Sequence, residues 1–419
     1  MITLIEALNF RCLRSTRQPL GPFHVLVGPN ASGKTTFLDV VAFLGQLVSD
    51  GLDAAIGERS ANFQDLVWGR AGTSLELAVE AAIPEPIRGK IAANGYDTIR
   101  YEVGLELDSE STEVHIVAEK VLLKRAARSE PVQPTLFPGI VTPPASILTG
   151  KAGRGEKTII NKARGGNDLF YSEVYGGAGK GWVPAFKLGP RKSALGNMPA
   201  DETKFPATTW FRNLLTQGVQ RLVLNSLVIR KASPPGQVRG FKPDGSNLPW
   251  VIADLERRSK ERFQDWLAHL RTALPDVEGI RTVEREDDKH RYLVLKYRGG
   301  LEVPSWMASD GTLRLLALTL PAYLPDLSGV FLIEEPENGI HPRAAEIMFQ
   351  SLSSVYGAQV LLATHSPIIL GAVEAAKVLC FAKTEAGETD IVLGTDHPAL
   401  RDWKGETNLA VLFAGGVLG

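Results

Sequence analysis

The spacing of apolar residues along the chain changes its period several times, and each period predicts a different kind of element. Leu4 to Phe10 and the apolar run Phe23 to Val27 predict two strands. A glycine-rich turn follows, and then Phe37, Leu38, Val41, Leu44 and Leu47 recur as on a mostly buried helix. Strand, glycine loop and buried helix in that order predict an α/β core. From Leu75 the period becomes two. Leu75, Leu77, Val79, Ala81 and Ile83 alternate with Glu76, Ala78, Glu80 and Ala82, and Ile99 to Leu107 alternate likewise with Arg100, Glu102, Glu106 and Asp108. With the less regular run Val114 to Leu123, these predict antiparallel strands with one wet face.

Residues 130–200 are rich in Gly and Pro and predict long loops with short helices. Ile252, Leu255, Phe263, Trp266, Leu267 and Leu270 share a helical face between Val251 and Leu274, before Pro275. Tyr292 to Tyr297, Gly299-Gly300 and Leu301 to Val303 predict a hairpin. From Ser309 the α/β pattern returns, with buried strands expected at Val330 to Ile333 and Val360 to Ala363. No repeat and no sustained heptad pattern interrupts this order. The expected division is 1–74 and 291–419 as the two ends of one core, 75–124 as an antiparallel β subdomain, and 125–290 as an inserted helical and loop region.

Composition narrows the class. The 419 residues hold Lys+Arg 46 and Asp+Glu 47, a net charge of −1, with 44% hydrophobic residues. Those values exclude a disordered chain, a collagen-like repeat and a broadly cationic nucleic-acid coat. Cys12 and Cys380 supply neither a disulfide framework nor metal-ligand spacing. The start, Met1 to Glu6, lacks the basic region of a signal peptide, and no apolar run is long enough to span a bilayer. A soluble cytoplasmic protein, with no membrane partner, is expected.

The strongest chemical signal is Gly28-Pro-Asn-Ala-Ser-Gly33-Lys34-Thr35, which fits the P-loop pattern with a strand before it and a helix after it. Backbone N–H groups of such a loop converge on phosphate oxygens at a helix N-terminus. Lys34 then reaches the β- and γ-phosphates, and the Thr35 hydroxyl ligates Mg²⁺. A second signal is Val330-Phe-Leu-Ile-Glu334-Glu335-Pro336, a buried strand with adjacent carboxylates at its end. Alone, such acids are equally a solvated strand end. Beside a P-loop they form the expected Walker B element, in which one acid serves Mg²⁺ and the next orients the attacking water.

Two further motifs narrow the class. Ser309-Asp-Gly311-Thr312 precedes a helical run, and Thr364-His365-Ser366-Pro367 follows the strand beyond Glu335. This order resembles the ABC-type ATPases, and more narrowly their RecF/SMC/overcoming-lysogenization-defect branch. Leu8-Asn-Phe-Arg11, Asp244 to Leu248, Glu334-Glu-Pro-Glu337 and Ala363 to Pro367 are similar to motifs of stand-alone AAA-type ATPases of bacterial defence and toxin–antitoxin systems.

The resemblance implies a P-loop NTPase fold of the ABC-ATPase type, with ATP and Mg²⁺ as ligands. It implies that Asn30, Ala31, Ser32, Gly33, Lys34, Thr35 and Thr36 cradle the triphosphate, with Arg11 near the nucleotide. Thr35 and Glu334 serve Mg²⁺, with Gln64 a candidate for the Q-loop ligand. Glu335 is the general base and His365 the switch histidine. Ser309 and Gly311 reach the γ-phosphate of a partner subunit, so the site is completed in a head-to-tail homodimer held by ATP. His341 falls in the D-loop region and is a candidate dimer contact. Glu334 stands where many ABC proteins have Asp, and the signature departs from the transporter form.

The segment 151–192 holds Lys151, Arg154, Lys157, Lys162, Arg164, Lys180, Lys187, Arg191 and Lys192 against Glu156, Asp168 and Glu173, with Phe170, Tyr171, Tyr175, Trp182 and Phe186 interleaved. Such a segment is either a solvated loop or a contact for DNA or RNA. The chain after His365 is too short for a second catalytic domain, so no intrinsic nuclease is expected. The tail, Trp403 to Gly419, is expected to pack on the core or to meet a partner. The leading expectation is an ATPase that controls a separately encoded nuclease or toxin in defence. A RecF-like DNA-repair ATPase and a nucleotide-gated scaffold with little turnover remain as alternatives.

Overall fold

A computed structural model of the chain describes residues 1–91, 95–125, 142–174, 184–238 and 240–397. They form two compact units. Within the described ranges, one comprises residues 1–21, 30–219 and 381–391, the other 22–29, 220–380 and 392–397.

The first unit is built on an eight-stranded antiparallel sheet. Its spatial order is Leu13–Pro19, Ile2–Phe10, Ser74–Ala82, Thr98–Leu107, Val114–Lys124, Glu156–Ala163, Asp168–Phe170 and Ala185–Phe186. The helix Lys34–Ser49 packs on it, with Phe43 against Phe10 at 5.8 Å between ring centroids. Two features depart from expectation. The strand Leu13–Pro19 was not foreseen, because an edge strand with a single neighbour buries few side chains and its LRSTRQP sequence carries no apolar period. Residues 156–186 hold strands where loops with short helices were expected; Ile159, Ile160 and Phe170 are fully buried there.

The supposedly wet face of this sheet is also partly covered. Arg100 is buried and bonded to Glu6, Glu80 and Glu102. Thr149 donates from its N–H to Glu102 at 2.7 Å, and Ile147 from its N–H to Glu76 at 2.7 Å. Burial opposes the charge on Arg100, but Glu6 and Glu102 outweigh it and hold its pKa above the ordinary value. Alternating charges announce solvent only when no distant segment returns over them, and here residues 146–149 do.

The second unit carries three neighbouring strands of a sheet, in the order Val330–Glu334, Gln359–Ala363 and Phe23–Val27, with residues 220–222 beside the first and residues 378–380 beside the last. Its central strands are parallel and buried almost throughout, as parallel strands covered on both faces require. A cluster around Trp266, Leu270, Leu316 and Met348 forms the core, and the Trp266 indole N–H donates to Thr319 Oγ1 at 3.0 Å. The expected helix from Val251 to Leu274 is two helices, Leu248–Arg258 and Lys260–Ala273, divided at Ser259 (φ −147°, ψ 69°). Apolar spacing hides this break, because Leu255 and Phe263 stay in phase across it. The hairpin Arg291–Tyr297 to Glu302–Pro304 forms as expected and is extended by a third antiparallel strand, Val277–Glu284. Among the described residues, no helix is long and apolar enough to cross a membrane.

Candidate functional site

Within the parallel sheet, Glu334 pairs with Ala363, and Ala363 pairs with Leu26. The chain therefore leaves the sheet at Gly28, Glu335 and Thr364 along one carboxyl edge, the edge at which open α/β sheets bind ligands.

The loop after Val27 turns through Gly28 (φ 147°), Ala31 (φ 62°) and Gly33 (φ 106°). Left-handed residues interspersed in such a loop turn successive N–H groups toward one concavity. The helix Lys34–Ser49 then starts with no side-chain cap and no acid in its first turn, so its positive end is not neutralised locally. Lys34 and Ser32 are buried, whereas Asn30, Ala31 and Thr35 face solvent. Ser32 Oγ is buried without a hydrogen-bond partner among the described residues. A buried orphan hydroxyl beside an uncapped helix start fits a phosphate ligand, which supplies the missing acceptor.

At the strand ends, Glu334 Oε1 accepts from Arg221 Nη2 at 2.6 Å. Glu335 sits at φ 46°, a left-handed conformation that costs a non-glycine residue about 1 kcal/mol or more. Its N–H donates to the Ala363 carbonyl at 2.8 Å, and its Oε2 accepts from Asn338 Nδ2 at 2.5 Å. His365 Nε2 lies 4.0 Å from Glu335 Oε1. Glu337 Oε1 accepts from Thr364 Oγ1 at 2.5 Å and from the His365 N–H at 3.3 Å, while Glu337 Oε2 is buried with no hydrogen-bond partner among the described residues.

Ser309 caps the helix Asp310–Thr319, its Oγ accepting from the Thr312 N–H at 3.1 Å. Gly311 has its own local reason: a Cβ there would stand 2.6 Å from the Gly339 carbonyl oxygen. His341 caps the helix Pro342–Ser353, its Nδ1 accepting from the Arg343 N–H at 3.2 Å. Glu334, Glu335, His365, Ser309 and Gly311 thus all belong to the second unit.

Arg11 and Gln64 lie in the first unit. Arg11 (φ 50°) directs its guanidinium to Asp39 on the phosphate-loop helix at 3.3 Å. Gln64 is half-buried in the short helix Phe63–Leu66, where its N–H donates to Asn62 Oδ1 at 3.0 Å. Arg221 and Glu337 are additions to the site. Glu337 stood inside the Glu-Glu-Pro-Glu motif, whereas Arg221 has no signal in the sequence. Among the described residues, no group of three or more His, Cys, Asp or Glu gathers as a metal cage. The hydroxyl of Thr35 and the carboxylate of Glu334 are hard oxygen donors of the kind Mg²⁺ takes alongside phosphate oxygens.

Several members of the basic segment are paired. Lys162 is buried against Asp168 at 2.9 Å, Arg164 meets Glu106 at 2.9 Å, and Arg191 meets Glu113 at 3.1 Å. Phe170 stacks on Phe186 at 5.1 Å. Tyr175, Lys180, Trp182 and the tail from Trp403 lie outside the described residues.

Phosphate loop, strand-end acids and parallel strand order define a P-loop NTPase of the ABC-ATPase type. The chain belongs to the family described as "AAA domain, putative AbiEii toxin, Type IV TA system", which matches residues 23–371. Its fold is similar to that of an Smc head bound to the C-winged helix domain of ScpA, with a TM-score of 0.52 at 13% identity, over 93% of this chain and 96% of that one. An Smc head domain with an extended coiled coil from Pyrococcus furiosus aligns at a TM-score of 0.49 and 11% identity, over 93% of this chain and 95% of that one. A short stretch is 46% identical over 41 residues to the OLD nuclease of Thermus scotoductus, covering 10% of this chain and 8% of that protein.

Proposed function

We propose that this protein is a cytoplasmic Mg²⁺-dependent ATPase that closes as a head-to-tail homodimer around ATP and thereby controls a separately encoded effector in anti-phage or anti-plasmid defence. The nucleotide-handling parts are residues 1–74 and 291–419, with 75–124 and 125–290 inserted between them. One observation carries the reading: Gly28, Glu335 and Thr364 emerge along one carboxyl edge, and the loop that begins there leads to a buried Ser32 hydroxyl with no hydrogen-bond partner among the described residues and to a helix start without a side-chain cap.

In this reading the N–H groups of Asn30 to Thr36 hold the phosphates, and Lys34 neutralises the β- and γ-oxygens. Thr35 and Glu334, with Gln64 as a further ligand, would hold Mg²⁺, which when bound would supply Lewis-acid polarisation of the phosphoryl group. Arg11 flanks the nucleotide. Glu335 takes the proton of the attacking water as the new O–P bond forms and the bond to the β-phosphate oxygen breaks, leaving ADP and phosphate. His365, within 4.0 Å of that carboxylate, orients the γ-phosphate. Ser309 and Gly311 of one copy complete the site of the other.

Glu335→Gln tests this directly. Phosphate release should fall by about 10²- to 10⁴-fold, the usual worth of a positioned general base. ATP affinity should stay intact, and mass photometry should show a nucleotide-dependent dimer. Unchanged turnover would remove Glu335 from the base role, and single copies at saturating ATP would remove the dimer.

A further inference from the structure

We propose that Thr389, more than three hundred residues from the phosphate loop in sequence, is the residue that sets the direction of that loop's Gly33 N–H. The inference rests on the nucleotide-binding reading above and deepens it. Thr389 is buried, and its Oγ1 donates to the Ser32 carbonyl at 2.9 Å. Its own N–H donates to the Cys12 carbonyl at 2.9 Å, and the neighbouring Glu388 pairs with Arg14 at 2.5 Å. The hairpin is closed by the Thr384 N–H donating to the Glu388 carbonyl at 2.9 Å. Thr389 is therefore anchored through its own N–H and through Glu388, and its hydroxyl is a fixed donor.

The consequence follows from the planarity of the peptide unit. In a trans peptide the carbonyl of Ser32 and the N–H of Gly33 point in opposite directions. A hydroxyl that holds the carbonyl on its own side therefore drives the N–H to the other side. Rotation of that peptide would replace a donor by a carbonyl lone pair, which repels phosphate. Glycine rotates through φ 106° at little cost, so the loop needs an external restraint to keep one orientation. Packing agrees: a Cβ on Gly33 would stand 2.3 Å from Thr389 Oγ1 and 3.1 Å from Cys12 Sγ. Thr389 is a positioning residue that acts through Ser32 and Gly33, with no contact to the reacting atoms assigned to it.

A crossed pair of substitutions in the full chain separates the hydrogen bond from packing. Thr389→Val keeps the shape and removes the hydroxyl; Thr389→Ser keeps the hydroxyl and removes the methyl. ATP affinity by calorimetry should weaken about 5- to 10-fold in Thr389→Val, the range of one lost hydrogen bond. It should return to within about 2-fold of wild type in Thr389→Ser. Amide exchange over residues 28–36 of the nucleotide-free protein should quicken in Thr389→Val and not in Thr389→Ser. Equal affinities for wild type and Thr389→Val, with Lys34→Ala binding lost, would overturn the positioning role and leave the nucleotide reading intact. Loss in Thr389→Ser as large as in Thr389→Val would show packing alone and also overturn it. Absence of ATP binding by the wild type would overturn both.

Discussion

Arg221 donates to Glu334 at 2.6 Å and so occupies one oxygen of the acid assigned to Mg²⁺. The arginine is half-exposed, so the pair adds little to stability; exposed ion pairs contribute about 0–1 kcal/mol. Its effect should fall on the metal instead. Arg221→Ala is expected to lower the Mg²⁺ concentration for half-maximal ATP turnover by up to about 5-fold, with the unfolding midpoint nearly unchanged. A Mg²⁺ titration of initial rates checks this, and a raised requirement would mean that Arg221 assists the site rather than competing with the ion.

Glu337 ties Thr364 and the His365 N–H to the loop that follows the paired acids. Glu337→Ala should therefore cut kcat by about 10-fold or more while ATP affinity changes little, because misplacing a reacting-site group costs rate before binding. Thr364→Val should do part of the same. The double variant should fall short of the summed losses, with a coupling of about 0.5–3 kcal/mol in a kinetic double-mutant cycle. Full additivity would sever the two residues.

Gly311 abuts the carbonyl of Gly339, and a methyl group there would meet that oxygen at 2.6 Å. Gly311→Ala is expected to destabilise the nucleotide-free protein by about 1–3 kcal/mol, the range for overpacking against an unyielding neighbour. Chemical denaturation of the monomer reads it. Unchanged stability with lost turnover would assign Gly311 to the partner's nucleotide alone.

His24 lies on the strand that feeds the phosphate loop, and burial pushes its imidazole pKa down, against a smaller opposing effect of the Lys377 backbone. Below about pH 6.5 the unfolded chain takes up a proton that the folded one resists. Stability should therefore be present above that pH and fall as the pH drops through the window below it. His269, whose pKa burial also lowers, acts in the same direction. His24→Asn should flatten the pH dependence of the unfolding free energy by up to about one proton between pH 7.5 and 5, leaving the contribution of His269.

Much of the proposed site rests on local order. The phosphate loop needs its glycines, lysine and threonine contiguous, and the paired acids need a buried strand before them; both are properties of a few neighbouring residues. The long strands were legible for the same reason, since Val25 to Val27 and Val330 to Ile333 are buried and apolar without interruption. What escaped were features made by distance. Leu13–Pro19 is a strand because Ile2–Phe10 pairs with it, and Glu102 is buried beneath partners that include Arg100 and Thr149.

The sequence by itself determined the motifs on which the proposed chemistry rests: a glycine-rich loop at a helix start, two carboxylates at a strand end, and a histidine after the next strand. Each follows from residue type and spacing within a few turns of chain. Tertiary structure alone decided which groups hold those residues in place. Arg221 on Glu334, Glu337 under Thr364 and Thr389 on Ser32 are meetings of residues 113, 27 and 357 positions apart. Such pairings leave no periodic mark, because a hydrogen bond depends on where two backbones meet in space and not on the order in which their residues occur.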